Sequence, residues 1–305
     1  MAPSVVDVAG VRVGHVQDRS ARTGCSVVLF AAPATCGVDV RGSAPGTRET
    51  DLLAPTALVD GVHAVLLCGG SAFGLDAAAG VMAELEARGI GFAVGPWRVP
   101  IVPAAVVFDL YTGEGRIRPD RAMGVAAVRV ASAAEPEEGA VGAGTGTLVA
   151  KLAGLERARP GGTGNAVRRH GTLVVGALTV CNALGSVFDV RTGEAVAEPL
   201  PGDVPFDRDA ALATDTALRG AHTTLGVVVT NATLTKAGAT KIAQMAHDGL
   251  ARAVVPSHLT RDGDTIFACA TGEVEAPLDL VGALAADALA EAIARGVRAA
   301  RIQSL

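Results

Sequence analysis

A buried β-strand that begins with a hydroxyl residue is predicted by the stretch His222-Thr223-Thr224-Leu225-Gly226-Val227-Val228-Val229-Thr230. A polar, Pro-rich segment, residues 192–219, precedes this strand. If the chain is cut before Thr223, this threonine gains a free α-amino group beside its own hydroxyl. The amine can then accept the hydroxyl proton, which makes the alcohol a usable nucleophile. The same residues are also compatible with a loop that leads into an ordinary core strand.

The length of 305 residues allows one large domain or two modest ones, and we expect a single domain over residues 1–305. Hydrophobic residues make up 50% of the 305 residues and charged residues 19%, whereas aromatic residues make up only 3%. The core must therefore be built from aliphatic side chains. The 38 glycines are scattered among apolar runs, which favours closely packed layers over a disordered chain.

Charge and cysteine content exclude several classes of protein. A net charge of -5 without a basic face argues against a nucleic-acid binder. The sequence has no 18-residue uncharged apolar stretch and no signal peptide, so we expect a cytoplasmic protein without membrane contact. The five cysteines are widely spaced and indicate buried, reduced thiols. No set of residues has metal-ligand spacing, and we expect neither a metal nor a cofactor.

Helical and strand patterns alternate without a strict βαβ order, which predicts a layered α/β sandwich. We expect an exposed or processed connector at about 191–222. Ser71 is a candidate helix N-cap. The predicted strands are 11–13, 25–30, 64–67, 106–108, a hairpin over 171–180, one starting at 223, and 264–270; the predicted helices are 71–88, 235–251 and 278–301, with a short one at Lys151.

A glycine-rich loop, Gly142-Ala143-Gly144-Thr145-Gly146-Thr147, precedes Lys151. It fits neither the phosphate-binding nor the dinucleotide-binding pattern. Backbone N–H groups at Gly144 and Thr145 could instead donate to the oxyanion of a reacting carbonyl. A tight turn before a helix explains the same residues.

Four further polar residues are candidates for the site, each with a structural alternative. Asp262 and Asp264 stand two apart before a strand, so both could lie on one side and orient a nucleophile; Asp-Gly is also a turn signal. Asn182 could donate to an oxyanion or form an Asx turn. Lys151 could be a buried cation or could reach solvent. His247 is more typical of a packing residue than of a general base.

Several segments, taken together and in this order, resemble one family. These are the self-processing aminopeptidases that include the L-aminopeptidase/D-esterase, the β-peptidyl aminopeptidases and the nylon-oligomer hydrolases. The matching segments are Thr23-Gly24-Cys25, Gly37-Val38-Asp39-Val40-Arg41-Gly42, Pro45-Gly46-Thr47-Arg48-Glu49-Thr50-Asp51, Gly69-Gly70-Ser71-Ala72-Phe73-Gly74-Leu75-Asp76, the region 99–110, Gly142-Ala143-Gly144-Thr145-Gly146, Thr223-Thr224-Leu225-Gly226-Val227-Val228, the region 244–253, and Asp262-Gly263-Asp264-Thr265.

The resemblance implies an N-terminal-nucleophile hydrolase with a four-layered α-β-β-α fold. It implies a precursor cut once between His222 and Thr223, giving subunits 1–222 and 223–305 that assemble into a homo-oligomer, a tetramer of processed subunits. Thr223 matches the nucleophile of the nylon-oligomer hydrolases. Two aspartates that follow their threonine match Asp262 and Asp264. Their asparagine matches Asn182, and their lysine matches Lys151. Two departures are His222, where relatives usually have Asn or Gly, and Phe108 in the pocket, where some have tyrosine.

We therefore expect an autoprocessing amide hydrolase that acts on a small molecule or a short peptide or amide. Two alternatives remain open. One is a threonine-nucleophile acyltransferase of the ornithine acetyltransferase type, which would need an amine acceptor for turnover. The other is an unprocessed, non-catalytic homologue that binds a small ligand.

Overall fold

The computed structural model describes residues 3–213 and 221–303. The strands are β1 Val11–Asp18, β2 Thr23–Val40, β3 Thr47–Arg48, β4 Gly61–Cys68, β5 Phe92–Val94, β6 Trp97–Val99, β7 Ala104–Val106, β8 Leu148–Val149, β9 Arg159–Pro160, β10 Gly162–His170, β11 Leu173–Asn182, β12 Ser186–Phe188, β13 Ala195–Ala197, β14 Thr223–Ala232, β15 Val254–Val255 and β16 Thr265–Val274. The α-helices are α1 Ala77–Ala87, α2 Arg121–Val130, α3 Arg208–Ala213, α4 Lys236–Ala253 and α5 Leu278–Gln303.

The main sheet runs β10-β11-β14-β16-β2-β4-β7-β3, and β1 also pairs with β2. β2 has 18 residues, and this length lets it pair with β1 and β4 along its first part and with β16 along its last part. The register between β2 and β4 shifts between Leu29 and Ala34, where residues 31–33 are exposed. The sheet bends at this point, and β2 connects its two halves.

Three clusters of buried side chains separate four layers. The central cluster joins Val28 and Leu67 of one half of the sheet to Leu225 and Phe267 of the other half. A second cluster packs α4 and α5 against β11, β14 and β16, and a third packs α1 and α2 against β2 and β4. The order of layers is α-β-β-α, so the predicted fold class is confirmed.

Glycine lets α5 lie directly on the sheet. A Cβ atom added to Gly164 of β10 would lie 2.1 Å from the carbonyl oxygen of Ala292, and one added to Gly226 of β14 would lie 2.7 Å from Leu289 Cδ1. Both distances are shorter than van der Waals contact, so a larger residue would push the helix outward. The expectation of closely approaching layers is confirmed at these two strands.

Two expectations about local structure need correction. Ser71 does not cap α1: it has a φ of 54° and begins a 3-10 helix, Ser71–Asp76, ahead of α1, whose N-cap residue is Asp76. The connector at 191–222 is not structureless, because it contains β13, which pairs with β12, and the short helix α3. Its part from 214 to 220 lies outside the described residues.

The five cysteines are buried and free, as the sequence predicts. In the described parts of the chain, every helix is too short or too polar to cross a lipid bilayer.

Candidate active site

Thr223 is the first residue of β14 and lies opposite Asn182, the last residue of β11, in the antiparallel register. Side chains alternate along a strand, so Thr223 shares its face with Leu225, which belongs to the central core. Thr223 is 4% exposed and His222 is fully buried. The start of β14 therefore places the hydroxyl inside the molecule, at the end of the space between the two halves of the sheet.

The bond between His222 and Thr223 is held by two hydrogen bonds to one oxygen. Thr223 Oγ1 donates to the carbonyl oxygen of His222 at 2.6 Å, and the backbone N–H of Gly263 donates to the same oxygen at 2.8 Å. A donor that polarises a carbonyl stabilises the negative charge that forms on its oxygen when a nucleophile adds. The hydroxyl and an oxyanion donor thus meet at the peptide bond that precedes Thr223.

Lys151 and Asn182 form a second group just upstream of this bond. Lys151 Nζ donates to the backbone oxygen of Asn182 at 2.8 Å, to its Oδ1 at 3.0 Å and to the carbonyl oxygen of Ala221 at 3.1 Å. Asn182 Nδ2 donates to the carbonyl oxygens of Phe108, at 2.9 Å, and Ala221, at 3.2 Å. Both side chains therefore hold the Ala221 carbonyl, and Asn182 does not donate to His222 in the uncut chain.

The ammonium group of Lys151 is buried. Its burial lowers the pKa of Lys151 to about 7. All three of its partners are acceptor oxygens, and an ammonium group has three N–H donors to match them. The contacts thus favour the charged form, whereas burial disfavours it, and Lys151 does not reach solvent.

Asp262 and Asp264 flank Gly263 and are both buried. Asp264 Oδ1 accepts from the backbone N–H of Thr224 at 2.7 Å, and Asp262 Oδ2 accepts from that of Leu259 at 2.7 Å. Burial, followed by the negative charge of Asp264, raises the pKa of Asp262 to about 7. Asp262 Oδ1 is buried with no hydrogen-bond partner within residues 3–213 and 221–303. The two carboxyl groups therefore have different environments beside the nucleophile.

The sequence assigns no function to two residues of this group, Gly263 and His258. Gly263 stands there only as part of a turn signal. His258 Nδ1 lies 2.8 Å from Asp264 Oδ2, and the His258 backbone N–H donates to the same oxygen at 3.2 Å. His258 has a φ of 56°, a conformation that non-glycine residues adopt uncommonly. Its separation of six residues from Asp264 is no known motif, so the sequence offers no signal for this pair.

The glycine-rich loop adjoins the site only at its end, where the N–H of the following residue, Leu148, donates to Asn182 Oδ1 at 3.0 Å. The N–H of Gly144 already donates to Val141 O at 2.9 Å and to Thr163 Oγ1 at 3.1 Å, and Thr145 Oγ1 donates to Gly142 O at 2.7 Å. Gly144 and Thr145 line a pocket with Arg19, Arg22 and Gln303, separate from the cavity beside His222. Gly144 and Thr145 thus do not line the cavity beside His222, and the Gly144 N–H is already occupied within the turn.

A small cavity of about 10 Å³ lies on the upstream side of Thr223. Its lining residues are Phe108, Asp109, Tyr111, Thr112, Leu148, Lys151, Leu155, Asn182, Ala221 and His222. The rings of Phe108 and Tyr111 pack with centroids 4.9 Å apart. An adjoining cavity of about 320 Å³ shares Lys151 and Leu155 with it. Mostly apolar walls and a few polar anchors are typical of a small-molecule site.

His247 packs within the core rather than at the nucleophile. It is fully buried, its Nε2 lies 3.1 Å from the carbonyl oxygen of Asp39, and burial lowers its pKa to about 4. Its ring contacts that of His258 edge-on at a centroid distance of 4.8 Å. His247 thus packs against the side chain of His258.

Comparison with known proteins places this geometry in context. The model of peptidase family S58 matches residues 3–305. An uncharacterized aminopeptidase of Mycobacterium tuberculosis is 43% identical over 327 aligned positions, covering 96% of this chain and 93% of the relative. A 6-aminohexanoate-oligomer endohydrolase of Kocuria sp. is 31% identical over 278 positions, covering 89% of this chain and 76% of the relative.

Solved structures share the fold. The L-aminopeptidase D-Ala-esterase/amidase of Ochrobactrum anthropi superposes with a TM-score of 0.73 at 20% identity, covering 97% of this chain and 86% of the other. A β-aminopeptidase of Burkholderia sp. superposes with a TM-score of 0.72 at 21% identity, with the same two coverages. The former is described as a variant of the Ntn-hydrolase fold, which agrees with the four layers found here.

Proposed function

The chain belongs to peptidase family S58 and is a hydrolase of amide or peptide bonds, and from this premise we propose that it cuts itself before Thr223 and then uses Thr223 as an N-terminal nucleophile. One observation carries the proposal: the Thr223 hydroxyl lies 2.6 Å from the carbonyl oxygen of His222, and the N–H of Gly263 donates to that oxygen. The Gly263 donor belongs to the parallel β-bridge between His222 and Asp262, and the Thr223 hydroxyl is a second donor to the same oxygen.

Self-cleavage begins when Thr223 Oγ1 adds to the carbonyl carbon of His222. The negative charge moves to the carbonyl oxygen, where the Gly263 N–H stabilises it. The carbon–nitrogen bond then breaks, the Thr223 nitrogen takes up the hydroxyl proton, and an ester joins His222 to Oγ1. Water hydrolyses this ester, which leaves a carboxyl group on His222 and frees both the hydroxyl and the amine of Thr223.

The mature enzyme repeats this chemistry on a substrate. The new amine of Thr223 accepts the hydroxyl proton as general base, and Oγ1 attacks the substrate amide to form an acyl-enzyme. Asp264 fixes the backbone at Thr224, Asp262 lies on the other side of Gly263, and Lys151 and Asn182 bind the acyl side. Asn182 becomes available to the substrate once Ala221 leaves. The substrate is a short peptide or oligoamide, and the processed subunits 1–222 and 223–305 assemble into a homo-oligomer.

Intact mass measurement and N-terminal sequencing test self-cleavage. Wild-type protein should give two polypeptides, 1–222 and 223–305, and Thr223→Ala should give one uncut chain without amidase activity. Thr224→Ala is the matched control, because its hydroxyl lies on the opposite face of β14, 3.9 Å from Cys181 Sγ. This variant should still be cut. An uncut wild-type chain, or full activity in Thr223→Ala, would end the proposal.

A further inference from the structure

We propose that Cys36 and Cys269 form a modification site, at which hydrogen peroxide or another hydroperoxide converts the two thiols into a disulfide. Cys36 lies in residues 1–222 and Cys269 in residues 223–305, so this bond would join the two subunits of the processed enzyme. The joining rests on the proposed cut before Thr223, whereas the bond itself can form in the cut or the uncut chain.

The two sulfur atoms already lie in contact. Cys36 of β2 is the direct partner of Cys269 of β16 in the antiparallel register, and Cys269 Sγ donates to Cys36 Sγ at 3.0 Å. Opposite residues of an antiparallel pair have Cα atoms about 4.5–5.5 Å apart, which lies within the range of about 4.4–6.8 Å found across disulfides. The two strands therefore need not separate or change register for the bond to form.

The cysteine pair lies near one end of the ladder between β2 and β16. Only one pair, Ala270 with Thr35, follows it in the register. Beyond that pair, Pro33 on β2 and Gly272 on β16 are exposed. The end of a ladder opens locally at a lower free energy than the whole fold. Opening of this end would bring both thiols, which are each 1% exposed, within reach of a small oxidant.

The reaction uses one peroxide molecule and releases two molecules of water. Cys36 Sγ, which accepts the hydrogen bond, attacks one peroxide oxygen; the oxygen–oxygen bond breaks, and the thiol proton leaves with the other oxygen as water. Cys36 is then a sulfenic acid. Cys269 Sγ attacks Cys36 Sγ, the sulfur–oxygen bond breaks, and the hydroxyl group leaves as water with the proton of Cys269. The two thiols together lose two electrons, which the peroxide gains.

The buried environment makes this site slow to react. Burial, followed by the neighbouring Cys36 thiol, raises the pKa of Cys269 well above its usual value. The reactive thiolate form of Cys269 is therefore rare at neutral pH. The same burial shields a disulfide from reductants once it has formed. The pair thus responds to sustained oxidation and not to a brief exposure.

The distribution of cysteines makes a bond between the subunits specific. Cys269 is the only cysteine of residues 223–305, so any disulfide that joins the subunits must include it. Cys25 of β2 and Cys68 of β4 are also direct partners in register, but both belong to the larger subunit. A bond between them cannot join the subunits, and Cys25 is therefore a matched control on the same strand as Cys36.

The experiment treats processed wild-type enzyme with hydrogen peroxide, blocks remaining thiols with N-ethylmaleimide in denaturant, and measures mass with and without dithiothreitol. We expect a species with the combined mass of both subunits less two hydrogens, which dithiothreitol separates. Cys25→Ala should give the same species, whereas Cys36→Ala and Cys269→Ala should each lower its yield about 10-fold or more. Subunits that stay separate in the wild-type enzyme, or a joined species that persists in Cys36→Ala, would overturn the inference.

Peptide mapping makes the test independent of cutting and of how the variants fold. In the oxidised wild-type chain, tandem mass spectrometry should find the peptides that carry Cys36 and Cys269 linked to each other. An oxidised chain in which these two residues are not linked would contradict the site. A linked but uncut chain would contradict the proposed self-cleavage, and with it the joining of subunits, but would confirm the disulfide.

Discussion

The backbone N–H of Gly263, in the turn before β16, donates to the carbonyl oxygen of His222, just before β14, at 2.8 Å. A Cβ atom on Gly263 would lie 2.7 Å from Thr223 Oγ1 and 2.6 Å from the carbonyl oxygen of Ala44. Glycine at 263 therefore allows the donor and the hydroxyl to approach the same carbonyl together.

Gly263→Ala should slow self-cleavage by about 10- to 100-fold, because the added methyl group displaces the hydroxyl or the oxyanion donor, and one donor of this kind is worth about 3 kcal/mol. The fraction of cut chain is followed by gel after a pulse of cell-free synthesis. Gly238→Ala is the matched control, since a Cβ there meets its nearest neighbour, Thr235 Oγ1, at an ordinary 3.4 Å. Cleavage of Gly263→Ala at the wild-type rate would remove Gly263 from the mechanism.

His258 should act as a positioning residue through Asp264. Its Nδ1 lies 2.8 Å from Asp264 Oδ2, and Asp264 Oδ1 holds the N–H of Thr224 beside the nucleophile. Loss of a hydrogen bond to a charged group costs about 1.5–3 kcal/mol, so His258→Ala should slow self-cleavage about 10-fold or more. His258→Asn should retain most of the rate, because asparagine supplies a side-chain donor and tolerates the φ of 56°.

Coupling distinguishes this role from general destabilisation. If His258 acts through Asp264, adding His258→Ala to Asp264→Asn should slow self-cleavage by much less than it does in the wild-type chain. Additive effects of the two substitutions on the rate would contradict the positioning role.

The sequence predicts the fold because its signals are local and repeated. The β-branched residues at 227–229 indicate β14. Thr223 is the first residue of that strand, so it lies beside Asn182 once β11 pairs with β14. The glycines of β10 and β14 and the small residues of α5 together indicate close layers. The helix start at Ser71 is misjudged because a left-handed residue and a 3-10 turn precede α1, and propensity alone does not reveal such a conformation.

The site is only partly readable for a physical reason. Lys151, Asn182, Asp262 and Asp264 stand out in the sequence by their polar side chains. The side chains of Lys151, Asn182 and Asp264 hydrogen-bond to residues 221–224, and Asp262 pairs with His222 through its backbone. Gly263 acts through its main chain, whose direction depends on tertiary pairing with His222. A glycine-rich loop is equally compatible with a donor site and with a turn, and the hydrogen bonds that occupy the Gly144 N–H appear only in the folded chain.

The stability of the uncut chain should depend on pH through Asp262. Burial and the charge of Asp264 raise the pKa of Asp262 from 3.8 to about 7. The folded chain then keeps a proton that the unfolded chain releases, so this group's contribution is fully present below pH 3.8, falls as the pH rises, and is lost above about pH 7. Asp262→Asn removes this dependence, since its amide cannot ionise.

We therefore expect the Tm of Asp262→Asn minus that of the parent to increase between about pH 4 and pH 7 and to stay level above pH 7. Both proteins carry Thr223→Ala so that neither is cut, and Tm is measured by calorimetry in buffers of equal ionic strength. Asp60→Asn, which removes an exposed carboxylate, corrects for the change in net charge. A Tm difference that is constant from pH 4 to pH 8 would show that the Asp262 carboxyl group ionises normally despite its burial. Its Oδ1, which has no partner among the described residues, would then need one that only the charged form can bind.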